Sequence, residues 1–155
     1  MSLTITNLQK KIDQQPVLEA VTFSLDRGQV VGLVGPNGIG KTTIFRTITH
    51  QYIADGGTVK VDDHDLATEP AQREAIFYLD QQHLFFRKYS LVKIAANYAL
   101  LYTDFDQAAF LHLIEKFGLN GTARFQSLSK GYQALVMVAL ALASQAPYVF
   151  LDEPF

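Results

Sequence analysis

Side chains alternate by face in two stretches near the start of the chain, Leu3-Ile5-Asn7 and Val21-Phe23-Leu25. Strands with one buried face show this period, so the pair predicts an antiparallel edge sheet. After the Asp26-Arg27-Gly28 turn, Val30-Val31-Gly32-Leu33-Val34 is a short apolar run without alternation. That is the pattern of a strand covered on both faces, and a central strand is predicted there. Glycine-rich residues Gly35 to Gly40 then lead into a helical pattern, Lys41 to Ile48. The turn signal Asp55-Gly56-Gly57 precedes a half-exposed strand at Thr58-Val59-Lys60-Val61, and a compact apolar strand follows at Ile76-Phe77-Tyr78-Leu79. Leu91 to Tyr102 and Phe105 to Phe117 carry apolar residues at helical spacing, with Gly118 where a C-cap belongs. Ser129 is placed to N-cap an apolar helix that ends near Pro147, and Tyr148-Val149-Phe150-Leu151 predicts a last buried strand. The predicted architecture is an α/β core with the antiparallel edge and a helical subdomain, roughly residues 84–127, inserted into a single domain spanning 1–155.

Composition narrows the function classes. With 155 residues, 48% of them hydrophobic and 18% charged, the chain suits one folded domain and not a disordered protein. Thirteen Lys and Arg against fifteen Asp and Glu leave no broad basic surface, so nucleic acid is not an expected partner. The absence of Cys excludes thiolate metal sites and a cysteine nucleophile. The longest apolar run, Ala134 to Ala143, is ten residues, short of the roughly 20 that cross a bilayer. The opening residues lack a basic region followed by an apolar one, and a cytoplasmic protein is expected.

The strongest chemical signal is Gly35-Pro36-Asn37-Gly38-Ile39-Gly40-Lys41-Thr42, which fits G-x-x-x-x-G-K-[ST] between a predicted strand and a predicted helix. Glycines let successive backbone N–H groups turn toward phosphate oxygens, and a helix N-terminus adds partial positive charge. Lys41 is the candidate for the β and γ phosphates and Thr42 for Mg²⁺, with Gly35, Asn37, Gly38, Gly40 and Thr43 completing the candidate nucleotide-binding set. The apolar strand at Tyr148 delivers Asp152 and Glu153 to the edge where α/β folds bind ligands. Asp152 is expected to orient Mg²⁺ through water, and Glu153 to act as the base on the attacking water.

Two further features stand at telling places: Leu128-Ser129-Lys130-Gly131-Tyr132-Gln133 before the apolar helix, and Gln81 after the Ile76 to Leu79 strand. Together with the loop and the Asp152-Glu153 pair, they make the whole chain from Leu3 resemble an ABC-type ATPase domain, with Lys130 matching an export-type subgroup. The resemblance implies a P-loop NTPase (RecA-like) core whose C-terminal part is missing after the Asp-Glu strand. It implies that ATP and Mg²⁺ bind, that Gln81 contacts Mg²⁺ and the attacking water, and that Ser129 and Gly131 cap the γ-phosphate held by a second ATP-binding subunit. It also implies membrane-spanning permease subunits as partners and a place at the cytoplasmic face of the membrane. A non-catalytic ATP-binding fragment and a soluble ATPase acting on ribosomes or DNA are the alternative functions. One departure concerns the base. The family places an adenine-stacking aromatic near Ile12, and no aromatic precedes Phe23 here.

Overall fold

The computed structural model of the chain describes residues 2–80 and 86–152. The chain divides into two compact units, Met1–Tyr78 and Leu79–Phe155.

In the first unit, β1 (Ser2–Ile12) and β2 (Gln15–Asp26) form an antiparallel hairpin. Its two turn residues, Asp13 and Gln14, both have positive φ, 49° and 67°. That turn geometry follows the right-handed twist of the flanking strands. β3 (Gly56–Val61) pairs with the other side of β1, and the short β4 (His64–Asp65) completes a sheet of order β2-β1-β3-β4. Ile5 lies opposite Phe23 on one side and Val59 on the other. Leu3, Ile5, Val59 and Val61 are all buried, as period-two alternation requires. The alternation then breaks. The register of β1 shifts between Ile5 and Leu8, Asn7 adopts φ 49°, and Leu8 rather than Asn7 returns to the core. Such a bulge adds one residue to a strand and reverses the faces beyond it. Gly57, at φ 84°, lies against it, where a Cβ would meet the carbonyl groups of Asn7 and Thr6.

Asp55 ties the entry of β3 to β1. Its carboxylate accepts the Lys11 backbone N–H at 2.6 Å and lies 3.3 Å from Lys10 Nζ. The Lys11 bond, and then the Lys10 charge, hold the Asp55 pKa below the ordinary 3.8. A lowered carboxyl pKa stabilises the fold above the unfolded value, and that contribution disappears as pH falls through the folded one. Asp55→Asn is therefore expected to lower the urea midpoint slightly at neutral pH, and parent and variant should converge in acid below the carboxyl titration. A difference that persisted there would show that the carboxylate charge is not the cause.

The expected central strand at Val30–Val34 does not form. Those residues are in no ladder, and Val30 and Val34 are almost fully exposed. A strand buried on both faces needs partners on both edges for its N–H and C=O groups. Among the described residues no strand is registered against this segment. The apolar run reports what its side chains tolerate, not whether a partner is present.

α1 (Lys41–Ile48) follows, burying Thr43, Thr47 and Ile48. In the second unit, α2 (Leu91–Leu101) buries Leu91, Ile94, Ala95 and Tyr98, the i, i+3, i+4, i+7 stripe of an amphipathic helix. α3 (Gln107–Lys116) packs against α2 and against α4 (Lys130–Ala143). α3 ends in a Schellman motif at Gly118 (φ 74°), in which Gly118 N–H donates to Glu115 O and Leu119 N–H to Ile114 O. α4 is buried along most of its surface, with Leu135 and Leu142 exposed on one stripe. β5 (Ile76–Asp80) and β6 (Tyr148–Asp152) form a separate two-stranded sheet.

Candidate functional site

The first unit carries the glycine loop as one contiguous piece. Pro36 and Ile39 close a turn, Ile39 N–H donating to Pro36 O at 3.4 Å, and Ile44 N–H donates to Gly40 O at 2.9 Å to open α1. Gly40 is the N-cap at φ 106°, a conformation that L side chains rarely adopt, and an added Cβ would lie 3.1 Å from Val17 Cγ1. Gly38 has φ 82° with open space where its Cβ would be, while Gly35 is backed by Ile39. Asn37 is exposed in the turn, Lys41 and Thr42 are half-buried, and Thr43 is buried.

Lys41 Nζ donates to Gly35 O at 2.7 Å and to Pro36 O at 3.1 Å. The loop thus folds around its own cation. No backbone acceptor among the described residues takes the N–H groups of Gly38, Gly40, Lys41, Thr42 or Thr43. The first N–H groups of a helix have no intrahelical partner and carry partial positive charge, so this donor set suits an anion. No three His, Asp or Glu side chains gather into a metal site among the described residues. The Thr42 hydroxyl and the Asp152 carboxylate, each taken by itself, have the oxygen chemistry that a hard cation such as Mg²⁺ accepts.

In the second unit, Ser129 N-caps α4, its Oγ accepting Tyr132 N–H at 3.4 Å. Ser129, Lys130, Gly131 and Tyr132 are exposed, and an added Cβ at Gly131 would meet nothing within 4 Å. Asp152, at the end of β6, is buried at 5% exposure. Gln81 and Glu153 lie outside the described residues. Ile12, where the resemblance leads one to expect an aromatic, is exposed at the end of β1. Among the described histidines, His64 pairs with Glu69 at 2.8 Å, and partial burial, aided by the Arg73 charge, lowers the His50 pKa.

Sequence reasoning gave Gln133 no role of its own. Its side chain is buried at 5% exposure, and Nε2 donates to Leu128 O at 3.0 Å and to Phe125 O at 3.3 Å. An amide at the head of an otherwise apolar helical run was the available signal.

A family model described as ABC transporter matches residues 18–155. The chain belongs to the ABC transporter family. Its relatives include the ABC transporter ATP-binding protein YtrB of Bacillus subtilis, 30% identical over 152 residues, which cover 98% of this chain and 52% of that protein. The lipopolysaccharide export system ATP-binding protein LptB of Escherichia coli K12 is 34% identical over 165 residues, 99% of this chain and 68% of that protein. This ABC chain thus spans about half the length of YtrB and about two thirds of LptB. Among solved structures, a putative ABC transporter ATP-binding protein from Pyrococcus furiosus superposes with a TM-score of 0.82 at 29% identity, covering 99% of this chain and 76% of that one. The fold is that of the ABC ATPase domain, an α/β P-loop NTPase fold, and the ATP-binding members of the family are ATPases.

Proposed function

We propose that this chain is the ATP-binding subunit of an ABC transporter and couples ATP binding and hydrolysis to movement through membrane-spanning partner subunits. The observation that carries the proposal is the glycine-framed loop with Lys41 Nζ at its centre and unpaired N–H groups leading into α1. Gly35, Asn37, Gly38, Gly40 and Thr43 frame the triphosphate, and Lys41 exchanges its loop carbonyls for β and γ phosphate oxygens. Thr42, Gln81 and Asp152 are the residues proposed for Mg²⁺, and Glu153 the base that takes a proton from the attacking water. Bound Mg²⁺ supplies neutralisation of charge on the phosphates. Ser129 and Gly131 present the α4 N-terminus to a nucleotide on a second ATP-binding subunit. Export is the proposed direction, supported by Lys130 and by the relationship to LptB. The proposed location is the cytoplasmic face of a membrane. No helix among the described residues is long and apolar enough to cross one.

Titration of the full chain with Mg-ATP, with Mg-GTP as competitor, tests the nucleotide assignment. Both are expected to bind, and to compete within a few-fold, because Ile12 offers no ring for the base. Base stacking on an aromatic contributes about 1–3 kcal/mol, enough to be visible when present. Absence of binding would overturn the loop assignment, and a strong preference for ATP would reveal another adenine platform.

A further inference from the structure

We infer that Gln133 is the positioning residue of the Leu128-Ser129 turn, its buried amide setting how α4 presents Ser129 and Gly131. The inference rests on the proposed role of those two residues toward a second subunit.

Gln133 grips Ser129 from both sides. Its Nε2 donates to Leu128 O at 3.0 Å, just before Ser129, and its backbone N–H donates to Ser129 O at 2.9 Å. The same Nε2 reaches Phe125 O at 3.3 Å, in the 3-10 turn Phe125–Ser127. Leu128 O precedes the N-cap, so no intrahelical N–H is available to it, and a partly buried carbonyl left without a donor is costly. An aliphatic side chain would fill the same space without supplying that donor. The linkage continues to the start of α2: Phe125 N–H donates to Tyr89 O at 3.2 Å, Gln126 N–H to Arg87 O at 3.0 Å, and Leu91 N–H to Ala123 O at 3.0 Å. Ser129 to Tyr132 are exposed above this clamp, while Gln133 and Phe125 are buried beneath it. The amide therefore joins an exposed nucleotide-facing turn to the interior of its own unit without itself reaching the surface.

The test uses the full chain and a β,γ-imido analogue of ATP, with affinity measured by calorimetry and nucleotide-dependent self-association by sedimentation. Gln133→Met keeps the length of the side chain and removes the donor. The expected result is unchanged nucleotide affinity with association weakened about tenfold, the equivalent of one lost hydrogen bond. Gln133→Glu sets a carboxylate against two carbonyl oxygens, and it can donate only when protonated. Its association is expected to be weak at about pH 8 and to recover toward that of the parent at about pH 5, with no such gain in the parent. Folding is followed by far-ultraviolet dichroism. If Gln133→Met does not fold, the pH series of Gln133→Glu decides. Parental association by either folded variant, without pH dependence in Gln133→Glu, would overturn the inference. Failure of the parent to associate with nucleotide bound would overturn the proposed role of Ser129 and Gly131, and the inference with it.

Discussion

Gly57→Ala is expected to lower the stability of the first unit more than any other single methyl group added to its sheet. At φ 84° the residue sits in a conformation that costs an L-amino acid about 1–2 kcal/mol. The added carbon would also fall on the Asn7 and Thr6 carbonyl groups, which are backbone and cannot rotate aside. Relief requires β1 and β3 to separate at the bulge, where Gln9 pairs with Gly56. Overpacking adds about 1–3 kcal/mol, so a loss of about 3 kcal/mol is expected. Urea unfolding followed by far-ultraviolet dichroism measures it, with Gly28→Ala as the comparison. Gly28 also has positive φ, 79°, but has open space around it. If the two variants lost equal stability, backbone conformation alone would account for both, and the close approach of Gly57 to β1 would carry no weight.

The second large effect is on ligand binding. Lys41→Met keeps the aliphatic stem and removes the ammonium that bridges Gly35 O and Pro36 O. A charge-assisted hydrogen bond contributes about 1.5–3 kcal/mol, so Mg-ATP affinity should fall about tenfold to a hundredfold. The ligand-free chain should change little in stability, because Pro36 is exposed and water can replace the ammonium there. Calorimetric titration of both proteins, alongside their unfolding midpoints, separates these effects. Parental affinity would remove Lys41 from the phosphate site. Equal losses of affinity and stability would make it a structural lysine.

Features set by neighbours in sequence were legible before the fold was known. The Ser129 cap, the Gly118 ending and the glycine loop each depend on residues within a few positions, where local chemistry decides the conformation. The antiparallel edge sheet was legible from the alternation of its two strands, whereas the turn at Asp13 and Gln14 that joins them was not. The Asn7 bulge was not, although the apolar sequence Leu3, Ile5, Leu8 breaks period two and could have signalled it. Val30–Val34 shows the opposite failure, a clear pattern whose outcome depends on a partner strand that no local feature specifies. Gln133 escaped a role because its two acceptors, Phe125 O and Leu128 O, become meaningful only once the 3-10 turn is in place. Among the candidate site residues, those of the loop are contiguous and could be named together. Ser129, Gly131 and Asp152 could be named only through the family resemblance or the strand before them.

The unpaired Val30–Val34 segment also bears on how the protein behaves in bulk. No charged residue occurs between Arg27 and Lys41, so nothing like-charged repels an identical copy of the segment. Strand-forming, uncharged stretches with open backbone groups pair with their own kind. Such pairing is second order in protein, so its rate rises with the square of concentration, whereas the ligand capture proposed for the loop is first order in protein. Because the segment runs directly into Gly35, one event would sequester the loop that the other fills. Dilution and saturating ligand therefore act in the same direction, favouring the dispersed chain over self-adhesion.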